Sequence, residues 1–287
     1  MFGKRQPAVA GRFYPSDPET CGRMVDEMLL GVDTPAAPGA IVPHAGWVYS
    51  GRTAARGIAG VAAYKPETVV IFGATHSGSR NPASVYAAGI WETPLGKLEI
   101  DSELADQLTS GAGLVADPAP HRHEHAIEVQ LPFIQRLIPD VKIVPIAVLP
   151  EQAAEDVGRF CGRQANKSER RVAFLASTDL THYGPSFGFE PHGHGREGVR
   201  WAKEVNDRRF IDLVVRMEAG SVVSEAAINH NACGAGAVAA MIGAMHELGC
   251  TRYVELEHTC SADIERGEGV QAVNSVGYAA GIFLKAG

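Results

Sequence analysis

The sequence predicts an α/β fold: a largely parallel central sheet covered by helices on both faces. Short β-branched runs alternate with longer helical patterns along the chain, the arrangement that builds parallel strands with helical crossovers. Most of those runs are apolar at consecutive positions, as strands buried on both faces must be. The composition, 45% hydrophobic and 21% charged, supports a globular core and lacks the low hydrophobicity of a disordered chain.

Taken in order, Ser16-Asp17-Pro18 reads as a helix cap followed by proline at the first helical position. Ala40–Pro43 and Thr68–Phe72 read as strands. Asp101-Ser102 caps a helix reaching Thr109, Lys142–Val148 reads as a strand, and Pro150 opens a helix toward Asn166. Arg171–Ala176 is the next strand. Arg196 to Glu218, with apolar Val199, Val205, Phe210, Leu213 and Val214, reads as one helix; Cys233 to Leu248, rich in Ala and Met and ended by Gly249, as another. Tyr253–His258 and Val273–Phe283 complete the strands. The breaks at Asp33–Gly39 and Gly184–Gly198 are too short to link independent units. Although 287 residues approach two domains of ~150, the expectation is a single domain over residues 1–287.

The charge balance, 26 Lys+Arg against 33 Asp+Glu for a net −7, provides no overall positive field for nucleic acid or anionic lipid. No window approaches the ~20 apolar residues of a membrane helix, and Met1-Phe2-Gly3-Lys4-Arg5 leads into no apolar signal core, so a cytoplasmic protein is expected. Five cysteines without CxxC spacing read as reduced thiols.

The chemistry collects at three strand ends, each followed by small residues and a histidine: Pro43-His44-Ala45-Gly46, Gly73-Ala74-Thr75-His76-Ser77-Gly78, and Ser177-Thr178-Asp179-Leu180-Thr181-His182-Tyr183. In an open parallel sheet the carboxyl ends of the strands share one edge, where ligands bind, so histidines distant in sequence can meet there. Asn231-Ala232-Cys233-Gly234 precedes a helix, which places Cys233 near a positive helix end and favours its thiolate, the form that binds metals or attacks electrophiles. The run His121-Arg122-His123-Glu124-His125-Ala126-Ile127-Glu128 is dense in ligand types but is not HExxH, because Ile127 stands where the second histidine would be. On a helix starting near Glu124, His125 and Glu128 share a face and would adjoin the site. His121 and His123 read as solvated cap residues, His192 and His194 as a flap or loop, and His230, His246 and His258 as structural.

These motifs, with Pro7-Ala8-Val9-Ala10-Gly11-Arg12-Phe13-Tyr14-Pro15 and Gln130-Leu131-Pro132-Phe133, resemble the Memo family, including the bacterial proteins called AmmeMemoRadiSam system protein B. The resemblance spans almost the whole chain. Memo proteins are in turn similar to the catalytic subunits of class III extradiol dioxygenases, which implies an αβα sandwich and a non-haem metal site. It further implies His44 and His76 as histidine ligands, His182 as the acid/base, and Cys233 in place of the dioxygenase glutamate. Fe(II) is the implied metal, with copper or zinc as alternatives, since a thiolate is softer than a carboxylate.

Three functions follow as expectations. The first is mononuclear metal chemistry, redox or oxygen-linked, at His44, His76 and Cys233; His182 moves protons, Asp179 holds its ring, and His125 and Glu128 stand alongside. The second is metal-independent thiol catalysis by Cys233. The third is a metal carrier or a module binding a peptide or partner protein in the same cleft, lined by Trp47, Tyr49 and Tyr183. The ligand is a small molecule or peptide, and the family's system name points to radical S-adenosylmethionine partners.

Overall fold

The computed structural model describes residues 2–264 and 273–286. Its strands are β1 (Gly3–Arg5), β2 (Gly39–Val42), β3 (Thr68–Gly73), β4 (Ala83–Val85), β5 (Gly89–Thr93), β6 (Gly96–Glu99), β7 (Leu114–Ala116), β8 (Lys142–Val148), β9 (Val172–Ser177), β10 (His182–Tyr183), β11 (Cys250–Cys260) and β12 (Ser275–Lys285). Its α-helices are α1 (Pro18–Leu29), α2 (Trp47–Ala63), α3 (Ser102–Leu108), α4 (Leu131–Leu137), α5 (Ala154–Lys167), α6 (Arg196–Trp201), α7 (Arg208–Val215), α8 (Ala219–Asn229), α9 (Ala235–Glu247) and α10 (Ser261–Ile264).

Among the described residues the main sheet runs β10-β12-β2-β9-β3-β8-β4-β7, with β11 on β12, and β1-β5-β6 form a small second sheet. The centre, β2-β9-β3-β8, is parallel throughout. β2, β3 and β9 are buried at every position, which accounts for their unbroken apolar runs. Successive residues of a strand face opposite sides. A Cβ on Gly39 would lie 2.5 Å from Met245 of α9, whereas one on Gly57 of α2 would lie 2.6 Å from Val42 and 3.4 Å from Ala40. Gly39 and its neighbours Ala40 and Val42 therefore meet different helices on different faces, and the molecule is an αβα sandwich. α5 packs outside on α9, and α1 and α4 flank α2.

Three expectations change in detail, and one helix was not expected. The C-terminal strand begins at Ser275 and runs antiparallel to β2, so the sheet is mixed at this side. Pro150 precedes a turn, and α5 starts only at Ala154. The stretch 196–218 is α6 and α7 joined by a π-helical turn over Ala202–Asp207, and it ends at Val215 before Met217 with φ of 55°. Finally, α2 is a full helix whose glycines lower its propensity but let it lie close on β2 and β12: a Cβ on Gly60 would be 3.0 Å from Ile282. No helix of the described residues is long and apolar enough to cross a membrane.

Candidate metal centre

β2, β9 and β3 end level, since Val42 pairs with Ser177 and Phe72 with Ala176. The segments leaving them depart from one rim. His44 follows β2 by two residues and is 1% exposed; His76 follows β3 by three and keeps 38% of its side chain exposed. His125 comes from the loop before the 3-10 turn Glu128–Gln130. The three rings converge, with centroids 5.2 Å apart for His44–His76, 5.3 Å for His44–His125 and 4.6 Å for His76–His125. One ligand nitrogen from each lies within 4.8 Å of the other two, so the group can hold a metal ion.

Neighbouring groups set which nitrogen each ring offers. The Ser177 hydroxyl donates to the Ala126 carbonyl at 2.7 Å, so its lone pairs must accept; the Gln130 amide approaches at 3.3 Å and His44 Nδ1 at 2.8 Å. His44 thus carries its proton on Nδ1 and presents the Nε2 lone pair, 3.1 Å from Cys233 Sγ. His76 Nδ1 lies 3.0 Å from Glu124 Oε1, which gives it the same tautomer. Ser177→Ala is expected to cost about 1–3 kcal/mol, because two buried donors and a carbonyl lose their partner, and to release the His44 tautomer. Urea unfolding and ¹⁵N shifts of the ring read the two effects; an unchanged tautomer would contradict the assignment.

Glu124 organises the other half. It is 2% exposed and accepts the backbone amides of His76 at 2.7 Å, His125 at 2.8 Å and Ala126 at 3.0 Å. Burial alone would raise its pKa, but the His76 ring and these amides hold it down at about 2. The same bond raises His76 above its ordinary value. Burial lowers His125 to about 4, with Glu124 opposing, and lowers His44 well below the usual range, reinforced by the other two histidines. Both are therefore neutral near pH 7, with lone pairs available for an ion.

Cys233 sits one residue before the Gly234 cap of α9, half-buried, with its sulfur accepting the Asp179 amide at 3.3 Å. Against the thiolate expected from the helix end, burial, then the Asp179 charge, push the thiol up. A helix end contributes only about 0.3–1 kcal/mol, too little to offset that desolvation. Asp179 is itself raised to about 7 by burial, while the His44 and Ala45 amides restrain it. It holds the His44 backbone at 2.7 Å, not the His182 ring as expected. His182 Nδ1 instead meets the Leu180 carbonyl at 3.0 Å, its ring rests on Phe187 at 5.1 Å, and burial lowers its pKa.

Glu128 does not join the histidines, because Arg5, the Ala8 and Val9 amides and the Tyr14 hydroxyl occupy both its oxygens. The 3-10 turn, in place of a helix from Glu124, turns it away. His121 is not a solvated cap but fully buried, bonded to the Ser84 carbonyl at 2.9 Å. His258 pairs with Asp207 at 3.0 Å, His192 stacks on Trp201 at 4.0 Å, and His230 caps α8 with φ of 50°. Tyr183 is buried against Trp201 and Phe189 and so lines no open cleft. Trp47 is likewise in the core, with Tyr14 and Phe133. Sequence reasoning assigned no role to Glu124, Ser177 or Gln130, although each stood inside a quoted motif; an acidic residue between two histidines was the available signal.

A family model described as Memo-like protein matches residues 5–282. A MEMO1 family protein of Thermococcus onnurineus is 37% identical over 98% of this chain and 99% of its own length. Another, from Methanosarcina barkeri, is 38% identical over 96% of this chain and 98% of its own. The crystal structure of an uncharacterized protein from Escherichia coli K12 is similar with a TM-score of 0.45 at 12% identity, covering 85% of this chain and 98% of that one. With a family match across nearly its whole length and relatives at this identity, the chain belongs to the Memo-like protein family.

Proposed function

We propose that the protein holds one transition-metal ion between His44 and His76, with Cys233 and His125 as the further donors, and uses it for redox or oxygen-linked chemistry on a small molecule. The observation that carries this reading is the convergence of three histidine nitrogens within 4.8 Å, two of them fixed in tautomer by a serine and a carboxylate. Imidazole nitrogens beside a sulfur suit Fe(II), copper or zinc, and Fe(II) is the proposed resident; when bound, it supplies Lewis acidity and electrons.

The chain's own residues then have distinct tasks. Glu124 orients His76 and stiffens the turn that carries His125, and Ser177 orients His44. His182, neutral near pH 7 and with Nδ1 committed to Leu180, accepts a substrate proton at Nε2. The exposed flank of His76 is the side from which substrate enters.

Metal content after oxygen-free purification tests the proposal. Wild type is expected to retain a stoichiometric ion, and His76→Ala and Cys233→Ser to bind it at least about tenfold more weakly; unchanged stoichiometry in both overturns it. A second reading, in which the site carries metal or receives a peptide, draws on the exposed apolar side chain of Phe187 (43%), whose ring meets His182 at 5.1 Å. Turnover of any catechol, quinone or related phenol by the metal-loaded protein decides for the catalytic reading.

A further inference from the structure

Arg5, two residues before Pro7, reaches across the molecule to the loop that carries His125. It is 5% exposed, and its guanidinium lies 4.0 Å over the Trp91 ring. Nε donates to the His121 carbonyl at 2.7 Å, Nη2 to the Glu124 carbonyl at 2.6 Å, and Nη1 to Glu128 Oε2 at 2.7 Å. One planar group therefore ties the start, middle and end of segment 121–128 together. Glu128, fully buried, passes the tie to residues 8–14 through the Ala8 and Val9 amides and the Tyr14 hydroxyl. The same stretch returns to the site, where the Phe13 ring meets His125 at 4.8 Å and the Phe13 carbonyl accepts the Trp47 amide at 2.8 Å at the start of α2.

A buried ion pair is weak evidence for stability, because desolvation of both charges offsets their attraction. What this pair does provide is geometry. Three acceptors at fixed positions match the rigid donor fork of arginine, and the single ammonium of lysine cannot serve all three. We infer that Arg5 is a positioning residue for the metal centre: it holds the Glu124–His125 turn where its donors meet His44 and His76. The inference rests on the metal reading above and extends it to a residue outside the cluster.

Arg5→Lys tests it, since lysine keeps a cation for Glu128 and abandons the two loop carbonyls. Arg170→Lys is the control; it loosens the half-buried pair with Asp101 at the opposite end of β3, beside Thr68. Two readouts are taken: cobalt(II) affinity with its visible spectrum, and hydrogen exchange at the His125 and Ala126 amides in metal-free protein. Arg5→Lys is expected to weaken cobalt(II) binding about tenfold or more, to alter the spectrum, and to speed exchange at those amides, while Arg170→Lys does none of these. Wild-type cobalt(II) affinity in Arg5→Lys, or exchange no faster than in Arg170→Lys, overturns the inference. A wild type that takes up no cobalt(II) overturns the metal reading, and the exchange rates still decide whether Arg5 holds the turn.

Discussion

Glu124→Gln is expected to weaken metal binding by about 10- to 100-fold, the range for loss of a group that orients a ligand, and to remove much of the acid sensitivity of the metal-free fold. The glutamine nitrogen would face amide and ring donors where a carboxylate oxygen now accepts them. The carboxylate's pKa is depressed to about 2 from 4.5, so its stabilisation is fully present above pH 4.5 and is lost as pH falls toward 2. At about 1.4 kcal/mol per unit this amounts to about 3 kcal/mol. His76 is the other half of the same interaction, with the opposite sign: its contribution is present below its ordinary value of 6.5 and is lost as pH rises through its raised value. An incoming ion competes with that proton, so metal affinity rises with pH over the same interval. Urea unfolding of metal-free protein at several pH values, together with a cobalt(II) titration, measures all three effects. A variant with the wild-type pH slope would remove Glu124 from its role.

The second large effect lies far from the histidines. α5 and α9 pack backbone to backbone: a Cβ on Gly158 would fall on the Ala240 carbonyl, and one on Gly162 would lie 2.7 Å from the Ala244 carbonyl. Gly158→Ala must push the helices apart, at an expected cost of about 3 kcal/mol or more. Because α9 begins just after Cys233, the shift also moves the sulfur. Gly220 in α8 is the contrast, with nothing closer than Glu155 Oε2 at 3.6 Å; alanine there is expected to be neutral or to gain about 0.5 kcal/mol of helix propensity. Thermal unfolding of the two variants makes the comparison, and similar melting temperatures would refute the packing argument.

The parallel centre of the fold was legible in the sequence because β2, β3, β8 and β9 are apolar almost without interruption, and the histidines after β2, β3 and β9 follow from the edge rule for parallel sheets. The Gly/Ala-rich helix α2 was not, because close approach to β2 and β12 outweighs the poor propensity of its three glycines. The small β1-β5-β6 sheet and the short strands β4, β7 and β10 were missed for another reason: two to five residues are too few for a period to register. Among the residues that converge, His44, His76 and Cys233 could be named from local motifs. What holds them could not, since Ser177, Gln130 and Arg5 act across 47 to 133 positions of chain, and no local pattern encodes such a pairing. Glu128 failed for the same reason, its true partners lying more than 110 residues away.

The level ends of β2, β3 and β9 imply an asymmetry in what this architecture tolerates. Added residues in the connections at the far, amino-terminal side of these strands leave the spacing of His44 and His76 untouched, because each of these two is measured from its own strand terminus. Deleting one residue inside β2 inverts which side chains point up or down from that position, and the ring of His44 would leave the rim altogether. Length variants among natural or engineered forms should therefore accumulate at the bottom of the sheet, while its central rows keep their residue number.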